Sequence, residues 1–163
     1  MKGLAAIALG SNLVSGFGDR EANLWEAVRR VGELGVVRVV SSFYDTEPVG
    51  YREQPRFLNG AMLLETDLGP VELMRGLLGV ERAMGRDRAI NPAGAMKGPR
   101  VIDLDLLLYG DWVLWSEELM LPHPGMAERR FVLEPLAEIA PDWVHPVVGM
   151  TVREMLAGLG RDS

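Results

Sequence analysis

The nine residues from Val101 to Tyr109, V-I-D-L-D-L-L-L-Y, constrain this chain more than any other stretch. They are too short and too apolar for a surface helix, and Gly110-Asp111 closes them with a turn, so they read as a strand. Side chains alternate along a strand, which puts Asp103 and Asp105 on one face, about 7 Å apart. Ile102, Leu104, Leu106 and Leu108 are then expected on the other face, toward a core. Neighbouring carboxylates on one sheet face repel and lose solvation unless cations pair with them. Magnesium suits such a pair, because it takes oxygen ligands and few carboxylates, leaving places for substrate phosphates. Taken alone, so short and common a pattern fits an edge strand with a wet outer face better.

The rest of the chain supplies partners for that strand. Leu4 to Leu9 is a short apolar run ending in a Gly-Ser-Asn turn and reads as a buried strand. Asp19 can cap a helix carrying Leu24, Ala27, Val28 and Val31 on one face, with Gly35 as its expected stop. Val36 to Tyr44 and Phe57 to Thr66 read as strands. Between them, Asp45 to Arg56 holds two prolines and a glycine and reads as a loop. Pro70 suits a helix first turn, and Leu73, Leu77, Val80 and Met84 follow at helical spacing before Gly85. Arg86 to Arg100 is aperiodic, a length of loop that in a compact domain is usually functional. Trp112 to Trp115 follows the Gly110-Asp111 turn, with short helices expected over Leu133 to Ile139 and Thr151 to Leu159. The order strand, helix, strand, strand, helix, strand predicts a single α+β domain over residues 1–163. It would be a ferredoxin-like sandwich with a mostly antiparallel sheet. Helices are expected on one sheet face, with the two long loops over a site on the other.

Composition narrows the chemistry. A net charge of −6 and a pI near 5.0 argue against general affinity for nucleic acid or anionic membranes. The chain has no cysteine, which excludes disulfides and thiolate metal sites, and its two histidines make a multi-histidine zinc centre implausible. No apolar run reaches the roughly 20 residues that span a bilayer. The first residues read as a strand and not a signal peptide, so a cytoplasmic location is expected. The partners expected are small molecules, and the chain is expected to be a monomer. Within this acidic chain Arg82, Arg86, Arg88, Lys97 and Arg100 gather just ahead of the Asp103 strand, with Asp87 the one acid among them. Arginine forks match phosphate oxygens, although the same run fits a solvated surface. Together, anion-binding arginines and a cation-binding pair look like a nucleotide–metal site. No Walker loop, Gly-x-Gly-x-x-Gly fingerprint or serine elbow occurs. His123, between Pro122 and Pro124, could donate to a phosphate. Phe57, Asn59 and Phe131 could stack on and pair with a flat heterocycle, or the phenylalanines could be core.

Five ordered blocks carry a resemblance. They are Ala8-Leu9-Gly10-Ser11-Asn12, S-S-F-Y-D-T-E-P-V-G (Ser41 to Gly50), Q-P-R-F-L-N (Gln54 to Asn59), K-G-P-R-V-I-D-L-D-L-L-L (Lys97 to Leu108) and L-P-H-P-G-M (Leu121 to Met126). R-R-F-V-L-E-P-L-A-E-I-A-P (Arg129 to Pro141) extends the match. Together they resemble the 6-hydroxymethyl-7,8-dihydropterin pyrophosphokinase family. That resemblance implies an enzyme of folate synthesis that moves the terminal diphosphate of ATP onto the pterin hydroxymethyl group and releases AMP. It implies two Mg²⁺ ions on Asp103 and Asp105, with Arg88 and Arg100 joining these aspartates in catalysis. Glu81, Arg86, Arg88, Arg100, His123 and Arg129 would line the nucleotide and phosphate site, and Leu106 would touch adenine. Thr46, Val49, Phe57, Asn59 and Phe131 would form the pterin pocket. Phe57 stands where the family is familiar with tyrosine, Lys97 where an aromatic can pack on the pterin, and Glu118 where an arginine is expected. Two other readings compete. A nuclease or nucleotidyl transferase using Asp-x-Asp would want a basic track, which the acidic pI opposes. A non-catalytic ferredoxin-like ligand-binding or regulatory module would leave the aligned carboxylates without a task.

Overall fold

A computed structural model describes residues 2–46, 56–85 and 100–160. In chain order the elements are β1 (Gly3–Ser11), α1 (Arg20–Val31), β2 (Val36–Val40), β3 (Tyr44–Thr46), β4 (Phe57–Thr66) and α2 (Pro70–Ala83). There follow β5 (Asp103–Tyr109), the short β6 (Leu114–Trp115) and β7 (Met120–Leu121), a 3-10 turn at Met126–Glu128, α3 (Arg130–Ile139) and α4 (Val152–Gly158). The main sheet runs β2-β4-β1-β5 with β3 beside β4 at its other end, and β6 and β7 form a separate hairpin. Every pairing is antiparallel. That is the strand order expected of a split βαβ sandwich.

Local chemistry places the helices. Asp19 accepts a hydrogen bond from Ala22 N at 2.9 Å and so satisfies one orphan donor at the start of α1. Helix α1 stops at Gly32, not at the expected Gly35. Gly35 does something else: a Cβ there would stand 2.3 Å from the Glu65 carbonyl, so its bare backbone lets β2 enter the sheet against β4. The expected Val36–Tyr44 strand divides into β2 and β3, separated by Ser41 to Phe43. Ser41 bridges that break, its N–H donating to Ala61 O at 2.8 Å and its Oγ accepting from Ala61 N at 2.9 Å.

The sheet is covered on both faces, which corrects the expectation of helices on one side alone. On the first face Ile7, Leu9, Met62, Leu64, Leu104 and Leu106 pack against Leu24, Val31, Leu73 and Leu77 of α1 and α2. On the second, Ala6, Ala61, Leu63, Leu107 and Leu108 pack against Val132, Leu133 and Leu136 of α3 and Val152 and Met155 of α4. Small side chains at Ala6 and Ala61 let α3 lie close to the sheet. Leu108 belongs to this second core, against strict alternation. Between Ala6↔Leu108 and Ile7↔Leu106 the β1–β5 ladder slips by one residue. The extra residue, Leu107, forms a bulge, so Leu107 and Leu108 share a face and Tyr109 returns to the first core. Upstream of the bulge alternation holds. Ile102, Leu104 and Leu106 are buried under α1 and α2, while Asp103 and Asp105 stay partly open.

Candidate active site

Antiparallel register assembles the site across three strands. Gly10 in central β1 lies opposite Asn59 of β4 on one side and Asp103 of β5 on the other. Two residues along, Ala8 lies between Ala61 and Asp105. Strands stand roughly 4.8 Å apart, so the Asn59 and Asp103 backbones are separated by about 10 Å. Between them the sheet offers only Gly10 and Ala8. The result is a trough with a low floor, walled by β4 on one side and by the acidic strand on the other. A Cβ at Gly10 would meet Asn59 Oδ1 at 2.9 Å and Phe57 Cδ1 at 3.6 Å, so the missing side chain is what leaves room beside these two. The sequence signal for this floor was present in Ala8-Leu9-Gly10: a glycine inside a strand marks close approach of something else.

On the acidic side, Arg100 Nη1 stands 3.2 Å from Asp103 Oδ1, and His123 Nε2 stands 3.8 Å from Asp105 Oδ1. Arg100 is brought in by the turn into β5. His123 hangs from that strand, its backbone N–H donating to Leu107 O at 2.9 Å. Gly125 N donates to His123 Nδ1 at 3.2 Å, which leaves the Nε2 edge to carry the imidazole proton toward Asp105. Burial and then the Arg129 charge lower the pKa of His123, with Asp103 pulling the other way. The imidazole is therefore a neutral donor at neutral pH. Asp105 is pushed up to about 7, first by burial, then by the charges of Asp103 and Glu81, against the pull of Arg129 and Arg100. The feared repulsion on the acidic face is real, and the cations supplied by the protein do not cancel it.

Glu81 reaches this cluster from α2 but as a strut. It is 3% exposed, and its Oε2 accepts from Leu104 N at 2.8 Å, bracing β5 between the two aspartates. Leu106, expected against adenine, has its side chain in the first core at 1% exposure, on the face opposite Asp105. The alternation that exposes the aspartates buries the Leu106 side chain. Arg129 precedes α3 with its guanidinium 5.9 Å from the Phe131 ring centroid.

On the β4 side, β3 pairs Thr46 with Phe57 and Tyr44 with Asn59. Asn59 Nδ2 donates to Thr46 Oγ1 at 2.5 Å, fixing an amide whose other edge faces the trough. Glu138 of α3 anchors β3, accepting from Ser42 N at 2.9 Å and from the Tyr44 hydroxyl at 2.7 Å. Phe57 and Phe131 are both half-buried, one on β4 and one in the first turn of α3. Glu118 turns away from all of this to pair with Arg75 at 2.5 Å. Val49, Arg86, Arg88 and Lys97 lie outside the described residues. Among the described residues no three acidic or histidine side chains close into a metal cage. The aspartate pair is an open one.

Known proteins resemble this chain over most of its length. Residues 6–141 match the family model for 7,8-dihydro-6-hydroxymethylpterin-pyrophosphokinase. The chain is 45% identical over 141 residues to the 2-amino-4-hydroxy-6-hydroxymethyldihydropteridine pyrophosphokinase of Bacillus subtilis, covering 85% of this chain and 79% of that protein. It is 45% identical over 157 residues to the protein of the same name from Methylorubrum extorquens, covering 95% and 92%. It is also 41% identical to the folic acid synthesis protein fol1 of Schizosaccharomyces pombe over 94% of its own length, which is 20% of that longer protein. Among solved structures, wild-type HPPK-DHPS of Plasmodium falciparum with pteroate superposes with a TM-score of 0.72 at 14% identity, covering 97% of this chain and 42% of that one. That likeness speaks for the fold. From the matched family model and the two bacterial relatives, this chain belongs to the 7,8-dihydro-6-hydroxymethylpterin-pyrophosphokinase family.

Proposed function

We propose that this chain transfers the terminal diphosphate of ATP to the hydroxymethyl oxygen of 6-hydroxymethyl-7,8-dihydropterin, releasing AMP. One observation carries the reading: the rung Asn59–Gly10–Asp103. It sets a heterocycle-reading amide and a cation-seeking carboxylate on one sheet face, separated by a strand without a side chain. A flat ring held by Asn59 and Thr46, and stacked on Phe57 and Phe131, would lie beside phosphates held over β5. Val49 would complete that pocket.

The donor chemistry of the pair fits Mg²⁺. Two open carboxylates, one pushed up to about 7 by burial and neighbouring charge, gain most from a hard cation that completes its shell with phosphate oxygens. Asp103 and Asp105 would hold the two ions, which when bound offset charge on the triphosphate oxygens. The remaining work falls to the side chains. Arg100 is 10% exposed at its side chain and reaches Asp103, and its Nε is buried with no hydrogen-bond partner among the described residues, a donor that a phosphate oxygen would satisfy. A guanidinium fixed in this way stabilises charge that builds on the transferring group. Arg86, Arg88 and Arg129 would bind the outer phosphate oxygens, and neutral His123 would donate its Nε2 proton as a hydrogen bond to another. Glu81 acts from beneath by holding β5. The trough brings the pterin oxygen toward the β-phosphorus, and such alignment accounts for much of the rate in transfers of this kind. The same reading has the enzyme working as a cytoplasmic monomer on small molecules, and among the described residues no helix is long and apolar enough to cross a membrane. No observation favours a purely binding module.

The test is direct. Protein, ATP, Mg²⁺ and hydroxymethyl-dihydropterin are combined and the products separated. AMP and the pterin diphosphate in equal amounts support the proposal. ADP with a pterin monophosphate, or no turnover, would reject it.

A further inference from the structure

Arg100 is held by an asparagine that no motif argument singles out as acting. The last β1–β5 rung joins Gly10 to Asp103, yet the two chains stay linked beyond it. Asn12 N donates to the Arg100 carbonyl at 3.0 Å, and Arg100 N donates to Asn12 Oδ1 at 2.6 Å. The side-chain amide takes the part of the next backbone carbonyl as β1 turns away at Leu13. Asn12 is 1% exposed, so these bonds are made where an unpaired Arg100 N–H would be costly. The turn is braced in its own right. Asn23 of α1, fully buried, donates to Leu13 O at 2.7 Å and to Ser11 Oγ at 3.1 Å, and accepts from Ser15 Oγ at 2.5 Å. Asn23 of α1 thus ties down the residues on either side of Asn12, and Asn12 in turn bonds both backbone polar groups of Arg100, three residues before the first aspartate.

We propose that Asn12 is a positioning residue for diphosphate transfer. By gripping the Arg100 backbone on both sides it sets where the guanidinium stands beside Asp103. The inference rests on the reading of Arg100 as the cation that meets charge developing on the transferring group. Backbone freedom at Arg100 would let its guanidinium wander by an ångström or so, enough to cost roughly 10- to 100-fold in rate.

The experiment is a double-mutant cycle. Asn12→Ala is made in the otherwise native chain and in Arg100→Ala, and kcat, the KM values and Mg·ATP dissociation are measured for all four proteins. Asn12→Ser leaves a smaller void and loses the same bond to Arg100 N, so it carries the test if Asn12→Ala does not fold. The expected result is a fall in kcat of roughly 10- to 100-fold with dissociation constants moved less than about threefold, and no further fall when Arg100 is already alanine. An equal fall in both backgrounds would overturn the proposal, because Asn12 would then act on something other than Arg100. So would native kcat, or a raised pterin KM with kcat preserved. If Arg100→Ala alone turned over normally, the reading of Arg100 would fail and this proposal with it, while AMP formation by the native chain would still stand.

Discussion

Gly10→Ala tests the trough at its narrowest point. The new methyl would stand 2.9 Å from Asn59 Oδ1, where ordinary contact begins at 3.4 Å, so the amide must retreat by about half an ångström. Its Nδ2 is already committed to Thr46 Oγ1 at 2.5 Å, and that bond breaks or bends as the amide moves. Losing one neutral hydrogen bond costs about 1 kcal/mol, and misaligning the amide against the ring edge it reads costs a similar amount again. Pterin binding should therefore weaken by roughly 1–3 kcal/mol, or about 5- to 150-fold. Mg·ATP binding should hold within about twofold, because Asp103, Arg100 and His123 lie on the other wall. The strand itself gains, since alanine has less unfolded-state freedom to lose than glycine, by roughly 0.5–1 kcal/mol. Equilibrium titration of pterin in the presence of an ATP analogue, with a thermal melt of the same protein, separates these effects. Native pterin affinity in a folded Gly10→Ala protein would refute the argument, as would an equal loss of nucleotide affinity.

Two further outcomes follow from charge and anchoring. In the metal-free fold Asp105 keeps its proton up to about 7, whereas an ordinary aspartate, near 3.8, releases it far earlier. Across that window the folded state binds more protons than the unfolded one, so metal-free stability falls as pH rises and Mg·ATP affinity climbs. Asp105→Asn should flatten both trends in melts taken across pH, and an unchanged slope would contradict the assignment. Glu138→Ala removes the acceptor for Ser42 N and the Tyr44 hydroxyl, so Tyr44, now held up to about 12 chiefly by that bond, should titrate near its usual 10. Loosening β3 two residues before Thr46 should also raise the pterin KM while leaving ATP binding unchanged, which steady-state kinetics would detect.

Much of this architecture could be read from residue pattern alone, where local chemistry decides. Phe57–Thr66 emerges with the expected ends because a largely apolar run lies between turn-formers, and Asp19 caps α1 as its side chain predicts. The facing of Asp103 and Asp105 follows from alternation, which holds until a bulge intervenes. The bulge at Leu107 was not legible, since three consecutive leucines give no sign of which one is extra. Gly35 looked like a helix stop because its true partner, the Glu65 carbonyl, is distant in the chain. The covering of the second sheet face by α3 and α4 was missed for a related reason: Ala6 and Ala61 invite close packing only once register sets them side by side. Long-range pairing likewise hides the Asn12 clamp, whose bond to Arg100 spans 88 residues. Parity places Leu106 as well: the alternation that opens the aspartates turns its side chain into the core.

On this reading the β5 carboxylates capture divalent ions with a triphosphate, next to a pterin-sized trough. Counting Mn²⁺ by electron paramagnetic resonance, as it is titrated into protein with a non-cleavable ATP analogue and pterin, tests that most directly. The native chain should take up a pair of ions per site, and Asp103→Asn with Asp105→Asn should lose at least one of them. Full Mn²⁺ occupancy in the folded double variant would show that the ions are held elsewhere.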